Sequence, residues 1–407
     1  MPRSDEFDVA VIGAGPVGVI CALALARRGH SVLLVEAEQS INRSPRAATT
    51  HPATLEMLAD LDLVTDVIRY GIVARYFQFW DRATGRKIAE FDHQVLSEDT
   101  QYPFVVQCEQ HKIANFGLAR LRTMPNVRVA MQTRLSNFSD DGERVTLELT
   151  SGGTQRRVTA SYLVGCDGGR SFVRKGQQIA FHGFTHPERF IVLTTPFDFE
   201  AEKGFCYRNY FSDPDEWANL FKVAGDDGHG LWRVVFPTRV DETDEQALSD
   251  SAVQDRLQKF FPIDRPYELA HRNIYSVHQR VAASFRKGRV ALAGDSAHVN
   301  NPIGGLGMNF GIHDAVSLAT SIDAVLKNGA QNDLDAYDRL RRPLNIEFVQ
   351  SQTIQNKKRL EEKDPAMREK NFADLAATAA DPVRHRAFLM RTSLLASVRT
   401  SLDKTSR

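Results

Sequence analysis

The chain has 407 residues, 42% hydrophobic and 25% charged, which are the proportions of an ordinary folded protein and exclude a disordered, collagen-like or coiled-coil chain. At ~150 residues per domain there is room for two or three domains and a sizeable core. Its 51 basic residues balance 51 acidic ones and the pI is near 7.2, so no basic excess favours nucleic acid or an anionic membrane surface, and a small-molecule function is the default.

The stretch Val9 to Ala26 carries no charge and contains an A-x-A sequence, the mark of a span or a cleaved leader. Asp5, Glu6 and Asp8 stand where a leader needs positive charge, and three glycines and Pro16 interrupt the run. The segment therefore reads as strand, turn and helix. Phe7 to Ile12 is a β-branched strand, Gly13-Ala14-Gly15-Pro16-Val17-Gly18 the turn, and Pro16 to Arg28 a helix closed by Gly29. Ser31 to Val35 is a second strand ending at Glu36, which completes a β-α-β unit.

Glycines at this spacing allow the tight turn, the approach of a pyrophosphate and close helix packing, and the helix N-terminus offers free N–H groups to phosphate. Glu36 can accept from ribose hydroxyls and would repel a 2′-phosphate, so the ADP half of FAD or NAD fits and NADP does not.

Further along, Val127 to Met131, Val145 to Leu149 and Tyr162 to Cys166 read as strands, the middle one alternating apolar and polar residues between glycine turns. Phe181 to Pro266 is rich in aromatic and β-type runs (Arg189 to Phe199, Trp217 to Val223, Leu231 to Pro237) and predicts a separate antiparallel sheet. Arg289 to Ala293 is another buried strand, followed by a glycine-rich loop and a helix over Gly307 to Leu326. After Pro343 the chain is helical and charged, with Lys357 to Lys370 a solvated face. Cys21, Cys108, Cys166 and Cys206 form no C-x-x-C pair, which points to free thiols in a cytoplasmic protein and to no metal site.

At Tyr162-Leu163-Val164-Gly165-Cys166-Asp167-Gly168-Gly169-Arg170-Ser171-Phe172-Val173-Arg174, and again at Gly294-Asp295-Ser296-Ala297-His298, the sequence resembles the class A flavoprotein aromatic hydroxylases, the para-hydroxybenzoate hydroxylase family. That family carries a glycine-rich loop, an Asp-Gly motif and a Gly-Asp motif in this order, and the resemblance runs from about Asp8 to Pro343. Val95 to Pro103 and Leu231 to Val234 are nearest in pattern to para-nitrophenol monooxygenase-like members.

The resemblance implies an α/β fold. A Rossmann-like FAD-binding domain (1–75, 105–180 and 270–343) would interleave with an antiparallel β-sheet substrate domain (76–104 and 181–269), with a C-terminal helical segment at 344–407. It implies bound FAD held by Gly13, Gly15, Gly18 and Glu36. Asp295 would take the ribityl hydroxyls, and Gly294 would let that backbone approach. The loop Pro302 to Asn309, with Gly305, Gly307, Met308 and Asn309, would turn N–H groups to the flavin pyrimidine ring. Asp167 would be shared between the pyrophosphate and a transient NAD(P)H, with Arg174 supporting its loop. Arg46 would border the flavin, and Gln110 would open the helix beside it.

The implied reaction is hydroxylation of a phenol-like or pyridinol ring with NAD(P)H and O2 through a C4a-hydroperoxyflavin, with loss of a ring substituent left open. Pro302 would line the oxygen and substrate position. His182, Tyr207, Tyr210 and Trp232 are the candidates for the substrate side; with His229 they fall in the segment expected to roof the flavin, and no motif fixes their roles. Arg189, Arg208 and Arg233 are available for a carboxylated substrate. No second G-x-G-x-x-G follows, so no separate nicotinamide domain is expected. A reductase or halogenase of the same fold, or a flavin-bound regulatory protein without turnover, are the alternatives. The charged C-terminal helices are compatible with a homodimer, but no heptad seam marks one.

Overall fold

The computed structural model describes residues 5–329 and 332–405; the outermost ends of the first and last predicted segments, and residues 330–331 of the third, lie outside them. Glu6–Ile12, Val32–Val35, Val127–Ala130, Thr154–Gly165 and Val290–Leu292 form the parallel part of one sheet, in the order Val290–Leu292, Thr154–Gly165, Glu6–Ile12, Val32–Val35, Val127–Ala130. These strands read as nearly continuous apolar runs because helices cover them. The helix Pro16–Arg27 buries every residue from Gly18 to Ala26. Pro16 suits its first turn, where no N–H partner is needed.

The second half of the predicted meander is a hairpin. Val145–Ser151 pairs with Thr154–Gly165 across a two-residue Gly152-Gly153 turn, both glycines at positive φ as the tightest hairpin turn requires. Val145, Leu147 and Leu149 point into the core, as their alternation predicts.

The antiparallel sheet has eight strands in the order His298–Val299, His271–Ala282, Phe181–Thr195, Leu231–Pro237, Ala218–Val223, Arg208–Ser212, Tyr76–Asp81, Arg86–Asp92. One pair within it, Arg208–Ser212 against Tyr76–Asp81, is parallel. Two readings are corrected here. The strand predicted at Arg189 to Phe199 runs instead over Phe181–Thr195, and Phe199 opens a short helix capped by Asp198, whose carboxylate accepts from two of its N–H groups. His271–Ala282, read with the nucleotide domain, pairs with Phe181–Thr195 in the antiparallel sheet, because strands of 12 and 15 residues are long enough to reach from one core to the other.

One face of this sheet packs Ile191, Leu193, Trp232, Val234 and Phe236 under the helix Asp250–Phe260. On the other face, Phe77 and Phe91 meet Leu306, at the start of the helix Leu306–Asn328, and Phe348 and Leu389 from the helical C-terminus. That C-terminus runs through Asn332–Leu344, a π-helical stretch Asn345–Gln350, then Ser351–Leu360, Pro365–Ala380, Pro382–Thr392 and Leu395–Thr405. The solvated face predicted from Lys357 is interrupted: Lys357 is buried and its ammonium pairs with Glu188 at 2.7 Å and Glu361 at 2.5 Å. Among the described residues no helix is long and apolar enough to cross a membrane.

Candidate active site

The three glycine turns lie against one another at the carboxyl ends of the parallel strands. Gly13 has φ +102, and a Cβ there would stand 2.4 Å from the Cys166 carbonyl oxygen. A Cβ on Gly18 would stand 1.9 Å from the Gly13 oxygen, so these two glycines set the turn and the helix contact. Gly15 differs, since a Cβ there meets no atom within 4 Å. Its side faces open space beside the helix N-terminus, where a phosphate would be received. Glu36 reaches across from its strand, and its Oε2 accepts from the Ala14 N–H at 2.7 Å.

The Asp-Gly and Gly-Asp turns are fastened together by Arg174. Its buried guanidinium donates to the Ser296 and Gly169 carbonyls, both at 2.9 Å, over the Phe181 ring. The Ser296 hydroxyl donates to the Gly165 carbonyl at 2.5 Å. Behind the Gly294 turn, Asp314 accepts from His298 Nε2 at 2.5 Å and Arg341 Nε at 2.8 Å, all three fully or almost fully buried. Burial pushes the Asp314 carboxyl up, but His298 and Arg341 beside it outweigh this and hold it below its usual range. Gly311 lets the helix Leu306–Asn328 come this close, since a Cβ there would meet Val17 at 2.7 Å and Gly294 Cα at 3.0 Å.

The residues present fit a bound dinucleotide. Asp167 uses Oδ2 to accept from the Phe172 and Val173 N–H groups, while its Oδ1 is buried with no partner. Asp295 has no hydrogen-bond partner among the described residues; its side chain reaches solvent, yet the protein around it raises its carboxyl above the usual Asp value, opposed by His298 and Arg46. An acid both hemmed in and reachable is what the floor of a ligand groove produces.

The Arg46 side chain is exposed and its carbonyl accepts from Arg233 Nη1 at 3.0 Å; the Gln110 N–H, at the start of the helix Gln110–Leu121, donates to Ala47. Gly305, at φ +69, caps the helix Leu306–Asn328, and a Cβ on Gly307 would press on Asn300 Oδ1 at 3.0 Å. Met308 and Asn309 are buried. The Asn309 side chain is saturated by protein: it donates to the Thr49 and Gly305 carbonyls and accepts from the His51 N–H, so it locks the loop.

Beyond this loop lies a pocket with about 470 Å³ of empty space, part of it open to solvent, lined by His51, Phe77, Phe79, His93, Arg208, Tyr210, Ile303, Gly304, Leu306 and residues of two C-terminal helices, Ser351–Leu360 and Pro382–Thr392. Tyr210 stacks on Phe79 with centroids 5.2 Å apart. The helices contribute Gln352, Asn356, Leu360, Phe388 and Thr392. Both histidines are buried and neutral in ordinary buffers: burial first, then the Arg208 charge, lowers His93 to about 3 and holds His51 well below its usual value.

Of the substrate-side candidates, Tyr210 alone lines this pocket. Trp232 is buried on the other face of the sheet, its Nε1–H donating to Asp198 at 3.3 Å, because strand alternation turns it with Val234 and Phe236 toward the helix Asp250–Phe260. Tyr207 packs beside Trp232 under the Lys222 ammonium. His182 and His229 are exposed. Pro302 is exposed too, and its neighbour Ile303 reaches the pocket. The sequence reading missed His51, His93 and the C-terminal residues. The usable signal was the shared parity of Phe77, Phe79, Arg208 and Tyr210 on two strands.

A parallel-sheet nucleotide cleft beside an antiparallel sheet, with an aromatic pocket lined from that sheet and the C-terminal helices, has the architecture of a flavin-type oxidoreductase. The FAD binding domain family model matches residues 6–352. The chain is 37% identical over 390 residues to the para-nitrophenol 4-monooxygenase of Pseudomonas sp. (strain WBC-3), covering 94% of each. It is 31% identical over 363 residues to the 6-hydroxy-3-succinoylpyridine 3-monooxygenase of Pseudomonas putida, covering 88% of this chain and 90% of that one. The crystal structure of a p-nitrophenol 4-monooxygenase from Pseudomonas putida DLL-E4 superposes with a TM-score of 0.89 at 33% identity, over 94% of this chain and 96% of that chain. The chain belongs to the FAD-binding class A flavoprotein monooxygenases. It is an FAD-dependent aromatic monooxygenase.

Proposed function

We propose that the chain hydroxylates a small substituted phenol or hydroxypyridine with NAD(P)H and O2, and that the pocket behind the Ile303-Gly304 loop receives the ring. The observation that carries this is the pocket's lining: three phenylalanines and Tyr210 wall an apolar recess beside the Ile303-Gly304 loop. The two monooxygenases quoted by sequence act, by their names, on a nitrophenol and a hydroxypyridine.

Bound FAD supplies the hard chemistry, accepting hydride from the nicotinamide and activating O2. The protein has three tasks. Gly13, Gly15, Gly18 and the helix behind them receive the pyrophosphate, Glu36 the adenosine ribose, and Asp295 and Asp167 the remaining hydroxyl and phosphate side. The loop Gly304 to Gly307 opens a 23-residue helix whose N-terminus would favour negative charge on a flavin bound beside it by up to ~2 kcal/mol. Phe77, Phe79 and Phe388 give the pocket apolar walls against which a ring would pack. Four free cysteines suit a reducing, cytoplasmic setting.

The test is a panel of substituted phenols and hydroxypyridines, scored by stimulated oxidation of NADH or NADPH and by product mass. Stimulation with a product heavier by one oxygen atom is expected. Protein that binds FAD yet oxygenates no ring in the panel would overturn the proposal.

A further inference from the structure

The segment Val299 to Ile303 leads from the Gly294 turn to the pocket loop, and side-chain amides grip its backbone. Gln350 Nε2 donates to the Val299 carbonyl at 3.2 Å, and Gln279 Oε1 accepts from the Asn301 N–H at 3.0 Å. Asn301 Oδ1 accepts from the Ile303 N–H at 3.2 Å, and Asn356 Nδ2 donates to the Ile303 carbonyl at 3.2 Å. Backbone groups shut away from water need partners, and here side chains from three separate elements supply them.

The amides are also joined to one another. Gln279, on the strand His271–Ala282, donates to Gln350 Oε1 at 2.7 Å and to Thr353 Oγ1 at 3.0 Å. Asn301 Nδ2 donates to the Thr353 carbonyl at 3.0 Å, and Gln350 Nε2 to Asn345 Oδ1 at 3.3 Å. Gln279, Asn301, Asn345, Gln350 and Thr353 are all buried and none of them titrates; of their side-chain polar atoms, Asn345 Nδ2 alone lacks a partner among the described residues. A buried polar network this nearly satisfied specifies one arrangement.

Asn345 and Gln350 are the two ends of the π-helical stretch. Residues five apart point about 140° away from each other in an α-helix, and the wider π turn brings them to one side. That lets Gln350 meet Asn345 and the Val299 carbonyl together. Gln279, Asn301 and Gln350 do not line the pocket.

We propose that Gln279, Asn301 and Gln350 are positioning residues that set the segment Val299 to Ile303 before the cofactor binds, and so fix where Ile303 and Gly304 stand between flavin and ring. This role rests on the pocket being the ring site. What it secures is the match between nucleotide oxidised and ring oxygenated. With the segment displaced, the two electrons of the nicotinamide end on oxygen instead: NAD(P)H, a proton and O2 give NAD(P)+ and H2O2, and no bond forms to a ring carbon.

The experiment compares FAD-loaded wild type with Gln279→Met, Gln350→Met and a control, Gln254→Met. The control removes a like pair of bonds away from the loop, from Gln254 Nε2 to the Tyr267 carbonyl and from the Tyr267 N–H to Gln254 Oε1. With the most stimulating phenol of the panel, hydroxylated product and H2O2 are counted against nucleotide oxidised. Product per nucleotide should fall at least ~10-fold in the first two variants and stay within ~2-fold of wild type in the control, since a misplacement of about 1 Å can cost ~100-fold. The visible circular dichroism of the bound flavin should change in the first two and not in the control. If those variants do not fold or hold FAD, flavin-stripped wild type decides: hydrogen exchange at the Asn301 and Ile303 amides should be at least ~100-fold slower than in an unstructured chain. Fast exchange there, an unchanged product yield or flavin dichroism in Gln279→Met and Gln350→Met, or the same changes in Gln254→Met, would overturn the inference. A wild type that oxygenates no ring removes the proposed function, and the dichroism and the exchange then still judge the positioning.

Discussion

Two glycines three positions apart should fail in different ways when each gains one methyl group. At Gly18 the new Cβ would stand 1.9 Å from the Gly13 carbonyl oxygen and 3.1 Å from Cys166 Cβ. Both the first neighbour and the helix are backbone, so Gly18→Ala must push Pro16–Arg27 off its own loop. Overpacking of this kind costs ~1–3 kcal/mol, more than the ~1 kcal/mol that alanine gains within a helix. At Gly15 the backbone is extended (φ −63, ψ 176) and a Cβ meets nothing within 4 Å. The loss of a glycine N-cap and the reduced entropy of the unfolded chain, each of order 0.5 kcal/mol, nearly cancel.

Thermal unfolding of flavin-stripped protein should thus separate the two: Gly18→Ala melts several degrees lower, and Gly15→Ala within about 2 °C of wild type. With FAD added the order reverses for Gly15→Ala, because its methyl occupies the space a pyrophosphate needs. A ~10- to 100-fold loss in FAD affinity, ~1.4–2.8 kcal/mol, would shrink the stabilisation that saturating ligand gives. Wild-type FAD affinity in Gly15→Ala, or an apo protein as unstable as Gly18→Ala, would refute the assignment of that open space to the cofactor.

Asp295→Ala should purify with little or no flavin, and full retention would remove this residue from the cofactor site. Glu36→Ala should weaken FAD by ~1.5–3 kcal/mol, measured by quenching of flavin fluorescence on titration, since a charged acceptor is lost from the groove. Asp314→Asn leaves Arg341 buried without its counter-charge and should lower stability by ~3–5 kcal/mol in urea unfolding, with FAD retention falling as the Gly294 turn loosens. His93 and His313 are lowered to about 3, by burial first, and His51 is lowered in the same direction. Between the unfolded value near 6.5 and about 3 the unfolded chain binds more protons. Stability is therefore complete above pH 6.5 and falls with acid by ~1.4 kcal/mol per pH unit for each such histidine. Urea midpoints that stay flat from pH 6.5 to 4.5 would contradict that burial.

The cofactor side was legible because its signals are local. Gly13, Gly15 and Gly18 act within six residues, the strand before them and the helix after them are contiguous, and Gly294 lies one residue from the acid it serves. The pocket was not, because its chemistry is assembled across the chain. His51 precedes the helix Pro52–Asp60 and bonds the Gly304 carbonyl, Phe77 and Phe79 come from an edge hairpin, Arg208 and Tyr210 from a strand about 130 residues later, and Phe388 from a helix near the C-terminus. The parallel pairing of Tyr76–Asp81 with Arg208–Ser212 brings the two strands together, and no turn in the sequence announces it. Trp232 and Tyr207 drew attention as aromatic residues in the right segment. Parity decides between them and Tyr210: on the strand Arg208–Ser212, Arg208 and Tyr210 share the pocket face, while Phe211 points to the core that also buries Trp232.

This division has a consequence for specificity. The groove residues are fixed by one another, through the Arg174 clamp between the Asp-Gly and Gly-Asp turns and the Asp314 pair behind the latter, so a substitution there is expected to disturb the proposed cofactor site whatever the substrate. The pocket wall supplied by Gln352, Asn356, Phe388 and Thr392 meets the Pro302 to Asn309 loop, where Asn356 donates to the Ile303 carbonyl. It also follows the π-helical stretch Asn345–Gln350, where a helix carries an extra residue per turn. With the pocket as the proposed ring site, differences in ring size and substituent would be written into the C-terminal helices rather than into the glycine turns.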